Sequence, residues 1–263
     1  MTHTLAIFWQ LLRRDMYVTC KRFNILGINF GLIYPLMYAF CFLYIEPQVL
    51  FEQSSIVQNG SITFIGQISL FALIVSFHST ITLLFDLVGD RFIDYQCTLL
   101  NARVVLIERL VFAGLFSFCL LVPFFPMAKI LFPNSFMIPH VSWFSLAWIL
   151  LLTAFMTSAY NLMATCIMRG PHQISRLWIR CNEVMLMLGG LLIPWQVIYK
   201  TSPIFGYLAL LNPLVYVSEG ARQALLASPT FFSIWVCSAV MIGVTIVCTV
   251  IACSVFKKRV DHI

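Results

Sequence analysis

The sequence predicts an all-α integral membrane protein with six transmembrane helices, and three observations support this prediction. Of its 263 residues, 61% are hydrophobic and 10% carry a formal charge, whereas charged residues make up about 25% of a typical soluble domain. The mean hydropathy of +0.94 means that apolar side chains cover the surface as well as the core, and only lipid accepts such a surface. Several uncharged runs reach the roughly 20 residues that cross about 30 Å of hydrocarbon.

The chain begins with an apolar pattern of helical period. Leu5, Phe8, Trp9, Leu12 and Met16 recur at spacings that place them on one face of a helix. The pattern predicts an interfacial amphipathic helix over residues 1–24, lying at the cytoplasmic surface of the membrane. The alternative is an ordinary apolar start that leads directly into the first span.

Six candidate spans follow, within a single transmembrane domain that covers residues 1–263. They are residues 25–45, 61–85, 106–127, 142–168, 184–199 and 229–256. The last span is predicted to begin at Ser228-Pro229, because serine is a favoured N-cap and proline is favoured at the first helical position.

The fifth span differs from the others because turn-forming residues interrupt it. Gly189, Gly190 and Pro194 break the apolar run, and a further uncharged stretch covers residues 201–218. Glycine and proline interrupt a helix, and irregular backbone cannot lie unpaired against lipid. We therefore predict folded-back short helices at the outer face, between spans five and six.

The basic residues predict the orientation. Thirteen of the sixteen Lys and Arg residues lie before span one, around the connection between spans two and three, between spans four and five, or after span six. Lys129, Lys200 and Arg222 lie in the other connections. Since basic residues are enriched on the cytoplasmic side, both termini are predicted to be cytoplasmic.

The sequence contains no pattern typical of a catalytic, metal or nucleotide site. None of the five lysines follows a glycine, as a phosphate-binding loop requires, and no His/Cys group has metal-ligand spacing. The predicted membrane interior contributes His78 but no acidic or basic proton relay. We therefore predict no catalysis, no metal, no cofactor and no nucleic-acid binding in this chain. His78 is interpreted as an interior histidine with satisfied contacts, with a pore-lining position as the alternative.

The connection between spans two and three has the properties of a docking segment. It mixes charged and apolar side chains and carries more acid than base, which disfavours a helix lying on anionic lipid. The predicted docking residues are Asp86, Asp90, Arg91, Phe92, Asp94, Tyr95 and Leu99. A secondary contact is predicted in the next cytoplasmic connection at Arg169, Arg176 and Arg180, which have fewer apolar anchors around them.

A polar motif precedes the last span, at the predicted outer mouth of the protein. Its residues are Asn212, Pro213, Tyr216, Glu219 and Arg222. Glu219 and Arg222 are three positions apart, so they share a helical face and are predicted to pair. On that view, reversing both charges should restore more transport than either single reversal does. The alternative is that both are solvated charges ahead of the last span.

Three of these features together resemble the permease subunit of ABC-2 type transporters. They are the Arg13-Arg14-Asp15 element, the charged connection after span two, and the Gly-Gly…Pro break followed by Asn-Pro-Leu-Val-Tyr…Glu-Gly-x-Arg. The resemblance covers nearly the whole chain. It implies a six-span homodimer in a bacterial plasma (inner) membrane, with two cytoplasmic ABC ATPase subunits that carry the ATP and Mg.

The resulting functional prediction is the transmembrane half of an ATP-driven exporter that moves a lipid-linked, polysaccharide or hydrophobic substrate outward. The alternative is a six-span channel or a membrane scaffold that transports nothing. An arginine-rich span and a Thr-Val-Gly-Tyr-Gly filter, typical of voltage-gated and potassium channels, are missing from the sequence. The exporter is therefore favoured.

Overall fold

A computed structural model describes residues 2–21, 28–45, 56–86, 97, 100–134, 136 and 142–260. Within these ranges the chain is helical, with turns between the helices and no strand. In chain order the elements are α1 (Thr2–Lys21), α2 (Asn29–Ile45), α3 (Ile56–Gly66, Ile68–Thr80 and Thr82–Phe85 in series), α4 (Ala102–Leu121 and Phe124–Leu131), α5 (Trp143–Ile167), α6 (Ile174–Leu177, Trp178–Asn182 and Glu183–Met187), α7 (Trp195–Thr201), α8 (Pro203–Leu210), α9 (Pro213–Leu226) and α10 (Ile234–Val260).

Among the residues that the structure describes, four helices are long and apolar enough to cross a membrane, namely α3, α4, α5 and α10. Helices α8 and α9 form a pair bent by 94° that makes a fifth candidate if it is counted as one span. Helix α2 is apolar but shorter. This all-helical architecture with several long apolar helices is compatible with a multi-pass membrane protein. The predicted spans at 61–85, 106–127 and 142–168 fall on α3, α4 and α5.

Two span boundaries differ from the prediction. Residues 184–199 do not form one helix, because α6 ends at Met187 and α7 begins only at Trp195. Helix α10 begins at Ile234 rather than at residue 229. The Ser228 hydroxyl pairs with Thr230 in the preceding turn, whereas the Ser233 carbonyl and hydroxyl accept from the first turn of α10. The predicted start of the last span at Ser228-Pro229 is therefore wrong, and Ser233 accepts the first hydrogen bonds of α10 instead.

The N-terminal helix is confirmed, but its buried face is only partly the predicted one. Leu12 is buried, with Phe8 and Met16 partly buried against the same apolar cluster. Trp9 is 61% exposed, and Leu11 instead packs on Leu100 and Val105 near the start of α4. The face of α1 that packs against α4 is therefore rotated about the helix axis relative to the face that the sequence pattern predicted.

The ends of the helices alternate along the bundle. One apolar cluster joins Leu83 at the end of α3, Leu106 near the start of α4, Cys166 at the end of α5 and Phe256 near the end of α10. The Arg259 guanidinium also donates to the Met168 carbonyl at 2.6 Å. We call this end of the bundle the basic end, because the basic residues that flank these four helix ends gather there. This alternation is what an up-and-down path through a membrane requires.

Candidate functional site

Two buried charged networks lie at opposite ends of α3. One includes the backbone of Ile62 near its start, and the other includes Asp86 directly after its end. The 24 residues between them correspond to about 36 Å of helix at 1.5 Å per residue. This distance exceeds the roughly 30 Å of bilayer hydrocarbon, so each network lies near one end of the bundle.

The first network centres on Arg222 of α9, whose side chain is fully buried. Helix α9 begins at Asn212, whose side-chain oxygen accepts from the Leu214 amide at 3.1 Å, and Pro213 occupies its first turn. Proline is favoured there because no intrahelical partner is lost. The Asn212 side-chain amide also donates to the Met185 carbonyl of α6. The start of α9 is thereby fixed against the end of α6.

Arg222 donates hydrogen bonds to four groups that come from three parts of the chain. Its Nη1 donates to Oε1 of Glu219 at 3.1 Å, and its Nη2 lies 2.6 Å from the Gly190 oxygen and 3.3 Å from the Leu191 oxygen. Its Nε donates to the Ile62 oxygen of α3 at 3.1 Å. The planar guanidinium, with donors in a fixed fork, suits such a set of acceptors.

The break between α6 and α7 supplies the acceptors that Arg222 uses. Gly190 has φ +69°, in the left-handed region, and a Cβ there would lie 2.7 Å from the Ser218 hydroxyl oxygen. A Cβ on Gly66 of α3 would lie 2.1 Å from the Leu191 oxygen. Both glycines are therefore required by close approach. Carbonyls freed by a helix break must find partners inside the protein, and Arg222 is one of those partners.

Glu219 and Tyr216 complete the network. Glu219 is 1% exposed, and its Oε1 accepts from the Trp195 amide at the start of α7 as well as from Arg222. The Tyr216 hydroxyl donates to the Leu210 carbonyl at 3.0 Å, which holds the bend between α8 and α9. The structure thus joins Asn212, Glu219 and Arg222 of the predicted motif to the Gly-Gly…Pro break and its flanking helices. Pro213 and Tyr216 of the motif shape the start of α9 and its bend against α8.

These contacts confirm the predicted pairing. Glu219 and Arg222 form a salt bridge at 3.1 Å, and because both are buried, the alternative of solvated charges is wrong. The other contacts of Arg222 lead us to expect, unlike the sequence by itself, that exchanging the two charges does not restore function. A carboxylate at position 222 would face the carbonyl oxygens of Ile62, Gly190 and Leu191, which accept and cannot donate.

The second network lies at the basic end and joins three elements through Arg109. Its Nη1 is 3.0 Å from Oδ2 of Asp15 on α1, and its Nη2 is 3.0 Å from Oδ2 of Asp86. Asp15 also pairs with Arg14. Glu108 is fully buried, with its Oε2 3.9 Å from Nε of Arg109. The amphipathic helix is therefore bound to α3 and α4 by charge as well as by apolar packing.

This network corrects the statement that the membrane interior lacks acidic and basic residues. Glu108 and Arg109 lie within the apolar helix α4, on its first turns, and both are buried. The sequence signal for this network is an adjacent acid and base, Glu108 and Arg109, inside the predicted third span. The basic-residue count uses Arg109 only to predict orientation, because its partner Asp15 is far away in the sequence.

Of the predicted docking residues, Asp86 lies in the described part of the chain. Its carboxylate binds Arg109 and its side chain is 21% exposed. Asp90, Arg91, Phe92, Asp94, Tyr95 and Leu99 lie outside the described residues. Arg169, Arg176 and Arg180 are all exposed, and they follow the end of α5 at the basic end. Exposure at this end is what a secondary contact requires.

His78 is not the buried interior histidine that the sequence predicted. It is exposed on α3 and lies in the wall of a cavity, with its ring 4.7 Å from that of Phe30. Asn161 of α5 is a polar residue that is buried between spans, and it donates to the Leu73 carbonyl and the Ser76 hydroxyl of α3. In the part of the chain that the structure describes, no group of three or more His, Cys, Asp or Glu side chains is placed to hold a metal ion.

No model of a known protein family, no curated protein and no solved structure matches this chain.

Proposed function

We propose that this chain is the transmembrane permease subunit of an ATP-driven ABC exporter, moving a lipid-linked, polysaccharide or hydrophobic substrate out of the cytoplasm or inner leaflet. The observation that carries the proposal is the second network. Through Arg109 it ties α1, the end of α3 and the start of α4 together at the point where the predicted docking connection leaves and re-enters the bundle. A force applied to that connection would therefore reach three elements at once.

The proposed permease has six spans. Four of them are the long helices α3, α4, α5 and α10, and α2 and the broken segment around α6 to α9 supply the other two. Two copies form a homodimer in the plasma membrane, with the basic end in the cytoplasm and the Arg222 network near the outer face. Basic residues gathered at one end support this orientation. Two cytoplasmic ATPases dock at residues 86–100, with exposed Arg169, Arg176 and Arg180 as a secondary contact.

The proposed cycle uses differential contacts rather than chemistry in this chain. ATP binding draws the two ATPases together, and their movement rocks the permease halves from inward-open to outward-open. The Arg109 network moves α1 with α3 and α4 as one unit. The Arg222 network keeps the broken segment rigid, because its carbonyls are already paired inside the protein.

We expect the purified chain to hydrolyse no ATP by itself, because its sequence has no phosphate-binding loop. The experiment is affinity purification of the tagged chain from its native membrane, with mass spectrometry of what accompanies it and an assay of phosphate release. A P-loop ATPase should copurify, and hydrolysis should disappear when the P-loop lysine of that ATPase is changed. Hydrolysis by the chain alone, or its isolation without any ATPase, would contradict the proposal and favour a channel or scaffold.

We expect Asp15→Asn to detach α1 from the bundle. Asp15 and Arg109 are 7% and 9% exposed, and removing one partner of a buried ion pair costs about 3–5 kcal/mol. The measurement is the rate of trypsin cleavage within α1 in detergent, together with the midpoint of thermal unfolding. The matched control is Gln10→Glu, which changes one charge at an exposed position on the same helix and leaves every arginine and lysine of α1 in place for trypsin. Equal cleavage of both variants would show that the ion pair between Asp15 and Arg109 does not hold α1 on the bundle.

A further inference from the structure

A cavity of about 420 Å³ lies between α1, α2, α3 and α4, partly open to the surface. Its volume is within the roughly 300–1,000 Å³ of typical ligand pockets. One end is charged and contains Arg14, Asp15, Asp86 and Arg109. The rest is mainly apolar. The cavity is thus polar at one end and apolar at the other, which matches the two parts of an amphiphile.

The length of the cavity follows from the two antiparallel helices that form its walls. Its lining runs from Asp86 back to Val75 on α3 and from Arg109 forward to Leu120 on α4. Each interval is eleven residues, or about 16 Å at 1.5 Å per residue. This is about half of the 30 Å of hydrocarbon in a bilayer. The cavity therefore has the depth of one leaflet.

The far end is closed by the first turn of α2. Phe30 lines the cavity and is itself buried. Its neighbour Gly31 lies beside Leu120, since a Cβ there would be in ordinary van der Waals contact with the leucine Cδ2 at 3.5 Å. Along the wall between the two ends, Phe112 and Phe116 of α4 present aromatic surface. Such a wall fits a hydrocarbon chain rather than a polar ligand.

The charged end indicates the class of headgroup. Two guanidiniums and two carboxylates line it, and Arg109 already bridges Asp15 and Asp86. An anionic headgroup would meet as many negative as positive groups in this lining and gain no net attraction. A zwitterionic headgroup can place its ammonium at a carboxylate and its phosphate at Arg14.

We propose that this cavity binds one acyl chain of a bilayer phospholipid, taken from the leaflet at the basic end, with a zwitterionic headgroup at the charged end. The site belongs to the isolated chain and does not depend on export or on an ATPase. The acyl chain fills the space between the amphipathic helix and the spans, so it supports the position of α1.

The test is native mass spectrometry of the full chain after reconstitution into nanodiscs that contain phosphatidylethanolamine, phosphatidylglycerol or an equal mixture of both. The wild-type protein should retain one phospholipid per chain after mild delipidation, and phosphatidylethanolamine should predominate from the mixture. Retention of phosphatidylglycerol alone would overturn the headgroup assignment. If no phospholipid is retained, or if a cellular amphiphile of another class persists through reconstitution, the phospholipid assignment is wrong.

Two variants place the retained lipid in the cavity. Thr82→Trp fills the space one turn from Asp86 and should lower retention at least tenfold. Val75→Phe shortens the far end and should shift retention toward shorter acyl chains. The matched control is Ile81→Trp, on the same helix but outside the cavity lining, which should retain lipid as the wild type does. Monodisperse protein with unchanged retention and chain length in both cavity variants would refute the site.

Discussion

Replacement of Arg222 by leucine is expected to abolish the folded protein. The change removes the Arg222 donor from the carbonyl oxygens of Ile62, Gly190 and Leu191. It also leaves the buried carboxylate of Glu219 with the Trp195 amide but without its cation. Each buried acceptor that loses its partner costs about 1–3 kcal/mol, and an unpaired buried charge costs about 3–5 kcal/mol. The sum approaches the 5–15 kcal/mol by which a typical protein is stable.

The measurement is the fraction of a fluorescent fusion that elutes as a single peak in size-exclusion chromatography. Arg222→Leu should lose nearly all of that peak, and Arg222→Lys should keep a minor part, because an ammonium lacks the planar fork of donors. Lys200→Leu is the matched control, since Lys200 is exposed on α7. It should elute as the wild type does.

The double variant Glu219→Arg with Arg222→Glu separates a simple ion pair from the network observed here. If the two residues only attracted each other, the exchange would preserve the pair. Because three backbone oxygens surround the guanidinium, we expect the exchanged protein to be lost as completely as Arg222→Leu. Recovery of a folded, monodisperse protein would show that the backbone contacts of Arg222 contribute little.

The second large effect is expected at the predicted ATPase contact, in the double variant Phe92→Ala with Tyr95→Ala. These residues are three apart in the sequence, so on a helix they would share a face and fill one pocket in the partner. Aromatic anchors of this kind often account for about 2 kcal/mol or more each. We expect a folded permease that loses more than nine-tenths of its copurifying ATPase and no longer transports.

Two control variants make this result specific. Removing Arg169, Arg176 and Arg180 together should weaken ATPase retention less, because exposed charges contribute about 0–1 kcal/mol each. Trp9→Ala removes an exposed aromatic side chain from α1 and should leave retention unchanged. If the Phe92 and Tyr95 variant keeps a full complement of ATPase while the arginine variant loses it, the docking surface lies in the connection after α5.

The sequence predicted well wherever the deciding physics is local. Long apolar runs located α3, α4 and α5 within a few residues, because the length and composition of a run are sufficient to identify a long apolar helix. The i, i+3 spacing of Glu219 and Arg222 was sufficient to predict their salt bridge. Glycine and proline correctly located the break between α6 and α7.

The errors arose where two local signals compete or where a distant element decides. Ser228-Pro229 and Ser233 are both plausible helix starts, and the packing of α10 selects the second. The face of α1 that is buried depends on the position of α4, which no period within α1 can encode. Exposure of His78 likewise depends on the cavity between four helices.

By itself, then, the sequence determined the all-helical membrane class, most of the long apolar helices, the helix break and the motif around Asn212 and Arg222. Tertiary structure alone decided which groups from distant parts of the chain the two buried guanidiniums bind. Arg222 meets Ile62 across 160 positions of sequence, and Arg109 meets Asp15 on a different helix. The physical reason is that a buried guanidinium must find acceptors, but only the packing of the helices determines which carbonyls and carboxylates come within reach.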